Sequence, residues 1–193
     1  MSKIWFSSDW HLGHKNITGP KVSTWPKGYR IFDTTEQMNR EIIGTMNSYI
    51  KQDDTLYFLG DFSFKGAQNL NTYRDQIWCK NIVFIKGNHD KEHSLLKITN
   101  VVYPALEVDI AGIRICMSHY SHRVWNKSHH GSIHLYGHSH GTLEKYPWGK
   151  SMDVGVDNAY AMFGKWRPFE FEEIVSIMNK REIAFVDHHV VKR

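Results

Sequence analysis

Five short apolar runs in this chain each end in side chains that can hold a metal ion. The run 4–6 is followed by Asp9 and His11, the run 56–59 by Gly60 and Asp61, and the run 82–85 by Gly87, Asn88, His89 and Asp90. The run 113–117 is followed by Ser118 and His119, and the run 133–136 by Gly137, His138 and His140. Runs of this length, apolar and bounded by turn formers, read as buried β-strands. In α/β sheets, ligands sit just beyond the carboxyl ends of the strands. Strands lying side by side would therefore bring these five endings to one spot, so the pattern constrains topology and chemistry together.

The remaining pattern fits that topology. Met38, Ile42, Met46 and Ile50, with Ile43 and Tyr49 alongside, have helical spacing over 34–50, and Asp33-Thr34-Thr35-Glu36 offers a capped start. Residues 66–78 and 170–180 also read as helices. The runs 106–110 and 113–117, split by Ala111-Gly112, read as a hairpin. Residues 152–156 and 183–186 are further strand candidates. The expected architecture is a mixed α/β sandwich with its sheets covered by helices. The 193 residues show no repeat, linker or low-complexity segment and are expected to form one domain.

Composition excludes several classes and favours one. No apolar run approaches the roughly 18 residues of a membrane span, and the start, Met-Ser-Lys-Ile-Trp-Phe-Ser-Ser-Asp, does not read as a secretory leader. Two cysteines, Cys79 and Cys116, make no disulfide framework, and a reducing, cytoplasmic setting is expected. The 24 Lys and Arg against 20 Asp and Glu give a net charge of +4. That suits phosphate-bearing substrates, and it is too weak to predict a stable nucleic-acid partner. The 13 histidines are the distinctive count, because imidazole is the commonest metal ligand and the usual acid or base near neutrality.

Asp9 and His11 are two apart, as are His138 and His140, and in extended backbone such pairs face one side. Gly60, Gly87 and Gly137 would let the chain turn sharply beside them. Asp9, His11, Asp61, Asn88, His119, His138 and His140 make seven nitrogen and oxygen donors. That exceeds what one tetrahedral zinc takes, and the lack of thiolates argues against an iron–sulfur cluster. The number suits two ions sharing a carboxylate, a recurrent device for in-line displacement at phosphorus.

In order and spacing, Asp9-Trp10-His11, Gly60-Asp61, Gly87-Asn88-His89-Asp90, His119 and Gly137-His138-Ser139-His140 resemble the signature of the calcineurin-like metallophosphoesterases over about residues 4–158. The flanks Ser8–His14 and Met152–Asp157 are similar to a compact bacterial and phage-type branch. The resemblance implies a four-layer α-β-β-α sandwich with the site at one edge. It implies two divalent ions, Mn2+ first, with Fe, Zn or Ni as variants. Asp9, His11 and His140 would hold one ion, Asn88, His119 and His138 the other, and Asp61 would bridge them. A bridging water would attack phosphorus, and His89 would serve the leaving oxygen with Asp90 as its candidate partner. Many members continue the second motif as Gly-Asp-x-x-Asp-Arg, whereas this chain has Phe64 and Lys65 at the last two positions. Phe64 cannot orient a histidine, and Lys65 is a point charge, not a planar fork, which argues against a protein phosphatase.

Outside the shared motifs, His14, Arg30, His122 and Arg123 are candidates to grip phosphate, with Asn158 behind them. Trp10, between two ligands, is the tryptophan singled out as a candidate substrate contact. His129, His130, His188 and His189 read as loop or tail residues. The expected substrate is a small phosphodiester or nucleotide, with a phosphomonoester as alternative. An inactive metal- or nucleotide-binding module and a nuclease are the rival functions. The sequence leaves the oligomeric state open.

Overall fold

The computed structural model describes residues 2–64 and 70–185. The chain runs β1 (Ile4–Ser7), α1 (Lys15–Thr18), α2 (Thr35–Tyr49), β2 (Thr55–Phe58), α3 (Leu70–Asp75), β3 (Asn81–Ile85), α4 (Glu92–Leu95) and β4 (Val102–Tyr103). It continues β5 (Ala105–Ile110), β6 (Ile113–Ser118), β7 (Ile133–Tyr136), β8 (Ser151–Asp153), α5 (Val156–Phe163), β9 (Phe169–Glu170) and α6 (Phe171–Met178). One sheet has the order β4-β3-β2-β1-β9, the other β5-β6-β7-β8. β1 to β4 pair in parallel, as do β6, β7 and β8, whereas β9 and β5 add antiparallel edges.

Alternation along the first strands splits the core into two layers. Trp5, Leu56, Phe58 and Phe84 face outward, where Met38, Ile42, Ile43 and Met46 of α2 cover them. Phe6, Leu59 and Ile85 face inward and meet Ile115, Met117, Ile133, Leu135 and Met152 of the second sheet, with Phe171, Ile174 and Met178 of α6 closing the layer. The result is two mixed sheets packed together and flanked by helices. Thr34 caps α2, its side chain accepting from the Gln37 amide at 3.1 Å.

The sheets meet where their strands end. Ser8, just past β1, bridges in parallel to Gly155, just past β8, and the Val156 amide donates to the Ser8 carbonyl at 3.2 Å. All the parallel strands of both sheets therefore end toward one edge.

Several expected elements shift. The strand expected over 152–156 stops at Asp153, because the Asp153 carboxylate accepts from the Gly155 amide at 2.7 Å and turns the chain into α5. The helix expected over 66–78 is Leu70–Asp75, with 66–69 outside the described residues. Residues 183–185 form no strand, and Val186 lies outside the described residues, as do His188 and His189. Among the described residues no helix is long and apolar enough to cross a membrane, and both cysteines are buried and unpaired.

Candidate metal centre

The loops after β1 and β2 run side by side, with the amides of Asp9, His11 and Leu12 donating to the carbonyls of Gly60, Asp61 and Phe62. Extended backbone does not shape them. Among the described residues, seven non-glycine positions have positive φ, and five of these are Asp9, His11, Asp61, His138 and His140. Left-handed backbone costs a side-chain-bearing residue about 1–2 kcal/mol, and such strain concentrates at functional sites. The i, i+2 pairs therefore converge through left-handed turns, against expectation. The glycines act differently too. Gly60 takes a positive φ of 98°. Gly87 and Gly137 are needed for space, since a Cβ there would strike Asp61 and the Ser8–Asp9 side chains respectively.

These turns gather two groups whose ligand atoms lie within 4.8 Å of one another: Asp9, His11 and His140, and Asp9, Asp61 and His119. His11 Nε2 is 3.7 Å from Asp9 Oδ1 and 3.6 Å from Asp61 Oδ2. His119 Nε2 is 3.4 Å from that same Asp61 oxygen, so Asp61 stands between the two histidines. Asn88 Oδ1 lies 2.8 Å from His119 Nε2 and 3.0 Å from His138 Nδ1. All seven candidate ligands thus come together. His11 and His140 stack at 5.1 Å between ring centroids.

The donor atoms are held ready for cations. Asp9 Oδ1 and both His11 ring nitrogens are buried without a hydrogen-bond partner, a state folded proteins rarely tolerate. Their 3.6–3.7 Å separations are too long for hydrogen bonds and suit ligands facing one ion. Asp9 Oδ2, by contrast, accepts from Ser8 Oγ at 2.6 Å and from the His138 amide at 2.9 Å, which aims Oδ1 inward. His119 Nδ1 donates to the Leu59 carbonyl at 2.8 Å, leaving Nε2 for the cluster. Burial works against charge on Asp61, but the hydrogen bond from His119 and the positive fields of His11 and His119 outweigh it and hold the carboxyl down to about 2. Burial likewise opposes a charged His119, but its bond to Asp61 and the charges of Asp9 and Asp61 push it up to about 9. The carboxylates therefore attract positive charge, and the residues present fit divalent cations.

A cavity of about 1030 Å³ opens beside the cluster, lined by His11, Asp61, His138 and His140 and also by His14, Trp25, Tyr29 and Phe64. His89 also lines it, its ring centroid 5.4 Å from that of His11 and 5.6 Å from that of Phe64. The His89 amide donates to Asp61 Oδ1 at 2.9 Å. Aromatic neighbours thus surround His89, with Phe64 among them. Lys65 lies outside the described residues.

Four candidate residues are corrected. Asp90 does not orient the His89 ring: its carboxylate accepts from the backbone amides of Asp61, Phe62 and Gly87 at 2.7, 3.1 and 2.9 Å, clamping two loops together. Arg30 lines the cavity, but its guanidinium is spent in a bidentate pair with Asp157 at 2.9 Å and in bonds to the Asp9 and Trp10 carbonyls. His122 is engaged elsewhere, its ring bonded to Ser118 Oγ and stacked on His134. Arg123 lies over the Trp148 ring at 4.0 Å. Neither His122 nor Arg123 lines the cavity. His14 does line it, as expected, packed on Phe64 at 3.7 Å between centroids. Trp10 is a core residue, fully buried against Phe58 and Phe62, and Asn158 is buried and bonded to the Asp153 carbonyl.

Sequence reasoning missed Asp157, whose Oδ2 lies 2.6 Å from His140 Nδ1, and Asp153, which accepts from Ser139 Oγ at 2.5 Å and the Gly141 amide at 2.8 Å. Together they fix the loop that carries His138 and His140. Both lie in the Met152–Asp157 stretch noted for its resemblance, where their signal is an acidic pair bracketing Gly155.

Residues 3–149 match the calcineurin-like phosphoesterase superfamily domain. An uncharacterized protein, MJ1445, of Methanocaldococcus jannaschii is 27% identical over 191 residues, covering 95% of this chain and 96% of its own length. The Gene 66 protein of Mycobacterium phage L5 is 24% identical, covering 81% of this chain and 87% of its own. The crystal structure of AQ665, a protein of unknown function from Aquifex aeolicus, superposes with a TM-score of 0.66 at 21% identity and covers 92% of this chain and all of that one, a likeness of fold. With three quarters of its length matched and a donor cluster at the shared strand ends, the chain belongs to the calcineurin-like phosphoesterase superfamily.

Proposed function

We propose that this chain hydrolyses small phosphodiesters with the help of two divalent cations. The observation that carries this reading is the pair of donor groups sharing Asp9, with Asp61 facing both His11 and His119 and with buried donor atoms that no protein group satisfies. In this assignment Asp9, His11 and His140 would hold one ion and Asn88, His119 and His138 the other, with Asp61, which faces both His11 and His119, placed to serve both. When bound, two such ions supply an activated water and draw charge from the phosphoryl oxygens. Carboxylate, amide and imidazole donors without thiolate suit Mn2+ and also admit Fe, Zn or Ni.

The chain's own residues do the rest. The strained loops keep the donors apart and inward, so the geometry exists before substrate arrives. His89, on the cavity wall, gives a proton to the departing oxygen or steadies its charge. The preference for diesters is supported by how few free cations line the cavity. A phosphomonoester dianion calls for free cationic side chains, but Arg30 is already paired with Asp157 and Arg123 packs on Trp148. Among the described residues that leaves Lys15 as the lining cation without a carboxylate partner.

The test is hydrolysis by metal-stripped protein, reconstituted with Mn2+, of bis-p-nitrophenyl phosphate beside p-nitrophenyl phosphate. Faster turnover of the diester supports the proposal. Faster turnover of the monoester overturns the diester preference. Metal binding without turnover of either, across several metals, favours an inactive binding module.

A further inference from the structure

The cavity is far larger than a phosphate group needs, and its walls differ. Beside the donor cluster stand Trp25, Phe64, His14 and Tyr29. Trp25 is 42% exposed although its ring sits edge-on to His14 at 5.4 Å between centroids. Phe64 packs on the other side of the same wall, against His14 and His89. Exposed tryptophan at a cavity mouth leaves apolar surface for a partner to cover.

The loop presenting Trp25 is pinned at several points. The Arg30 and Phe32 amides donate to the carbonyls of Ile17 and Thr18 at 2.8 and 3.1 Å. The Thr24 amide and hydroxyl both donate to Asn16 Oδ1 at 3.1 Å. A fixed aromatic platform loses little entropy when a flat ring settles on it. Polar groups of Asn16, Thr24, Ser139 and Thr142 rim the same space. Their side chains are already bonded within the protein, Thr24 to Asn16, Ser139 to Asp153 and Thr142 to the Ser139 carbonyl, and the Thr24 and Thr142 hydroxyl oxygens keep a lone pair with which to accept from a sugar or heterocycle.

We propose that this half of the cavity is a nucleobase subsite, in which a purine or pyrimidine packs on Trp25 and Phe64 while its phosphoester reaches the donor cluster. The path from cluster to platform runs through ring contacts, His11 to His14 at 5.7 Å and His14 to Trp25 at 5.4 Å between centroids, so the platform lies two ring contacts from the cluster. Stacking on an aromatic face tolerates any base, and the subsite therefore selects nucleotides as a class. The proposal rests on the phosphoesterase reading, because it uses the cluster as the phosphate end of the ligand.

The experiment is calorimetric titration of the Mn2+-loaded protein with AMP, ribose 5-phosphate and inorganic phosphate, with ligand integrity checked after each run. AMP is expected to bind at least about fivefold more tightly than ribose 5-phosphate. Trp25→Ala should remove most of that advantage and Trp25→Phe should restore it. The exposed position of Trp25 keeps these substitutions clear of the core. Equal affinities for AMP and ribose 5-phosphate, with phosphate still bound, overturn the subsite and leave the phosphoesterase reading standing. An AMP advantage untouched by Trp25→Ala overturns the assignment to this wall. Failure of all three ligands to bind overturns the subsite, and the phosphoesterase reading then stands or falls on turnover of bis-p-nitrophenyl phosphate.

Discussion

Asp157 accepts a 2.6 Å hydrogen bond from His140 Nδ1, which turns the opposite ring nitrogen toward Asp9, 4.0 Å away. Burial pushes the Asp157 carboxyl up, but the Arg30 charge and the His140 bond overcome it and hold the group well below the usual carboxylate range. Carboxylates that orient a metal-binding imidazole typically contribute 10–100-fold to metal affinity. Asp157→Asn is expected to raise the Mn2+ concentration needed for half-maximal activity by about that range, with kcat recovering at saturating metal. A metal titration of activity checks it, and an unchanged midpoint with lower kcat would contradict this role.

Arg30 is tied to the same carboxylate and to the carbonyls of Asp9 and Trp10, so its removal should be felt in folding before chemistry. Breaking one side of a buried ion pair costs about 3–5 kcal/mol. His140 still partners Asp157, so the lower figure, about 3 kcal/mol, is expected for Arg30→Ala in denaturant melts. If Arg30 gripped phosphate instead, KM would rise with stability unchanged.

Asp61→Asn tests the centre itself. The carboxylate faces His11 and His119 at 3.6 and 3.4 Å, and the amide cannot bring the same charge between two cations. The loss of metal and activity should exceed the about 100-fold upper bound for outer carboxylates. Metal content by atomic emission, read beside activity, checks both halves.

The donor set was legible because each strand ending spells its own chemistry. The turns that aim those donors were not, since nothing in Asp-Trp-His distinguishes extended backbone from the positive φ of 58° and 50° found at Asp9 and His11. Gly87 and Gly137 stood out as glycines, but the crowding that requires them comes from side chains distant in sequence. Arg30 was legible as a lone loop cation. Its partner lies 127 residues away, a distance over which local pattern is silent. His122 and Arg123 follow His119 closely in sequence, but they settle against His134 and Trp148, because proximity along the chain does not say which face of a sheet a loop will cover. The strand expected over 152–156 misled for a local reason: Val154 and Val156 are β-formers, and the bond from Gly155 to Asp153 ends the strand before them.

His89→Ala separates leaving-group chemistry from metal chemistry. General acid assistance is typically worth 10²–10⁴-fold, and it matters when the departing oxygen is basic. A methyl or nucleoside ester should lose about 10²-fold or more in kcat, whereas p-nitrophenyl esters, whose phenolate leaves unaided, should lose much less. Equal losses on both classes would mean that the His89 ring acts through the donor cluster, where it neighbours His11, since the backbone amide bonded to Asp61 survives the substitution.

His134 supplies a pH-dependence remote from the cavity. Burial between β6 and β8 holds its imidazole down to about 4 from an ordinary 6.5, against the raising effect of the Cys116 carbonyl that accepts from Nδ1. Nε2 accepts from the His122 amide at 3.0 Å, so a second proton on the ring would break that bond. Between about pH 6.5 and 4 the unfolded chain binds this proton and the folded chain does not. Stability is therefore fully present above pH 6.5 and falls as the pH drops through that window. One pKa unit corresponds to 1.36 kcal/mol, so the loss from pH 7.5 to pH 5 is about 2 kcal/mol from this group. Urea melts at the two pH values should show it, and His134→Gln should flatten the difference by that amount while lowering stability at pH 7.5. A difference that survives the substitution would assign the acid sensitivity to other groups.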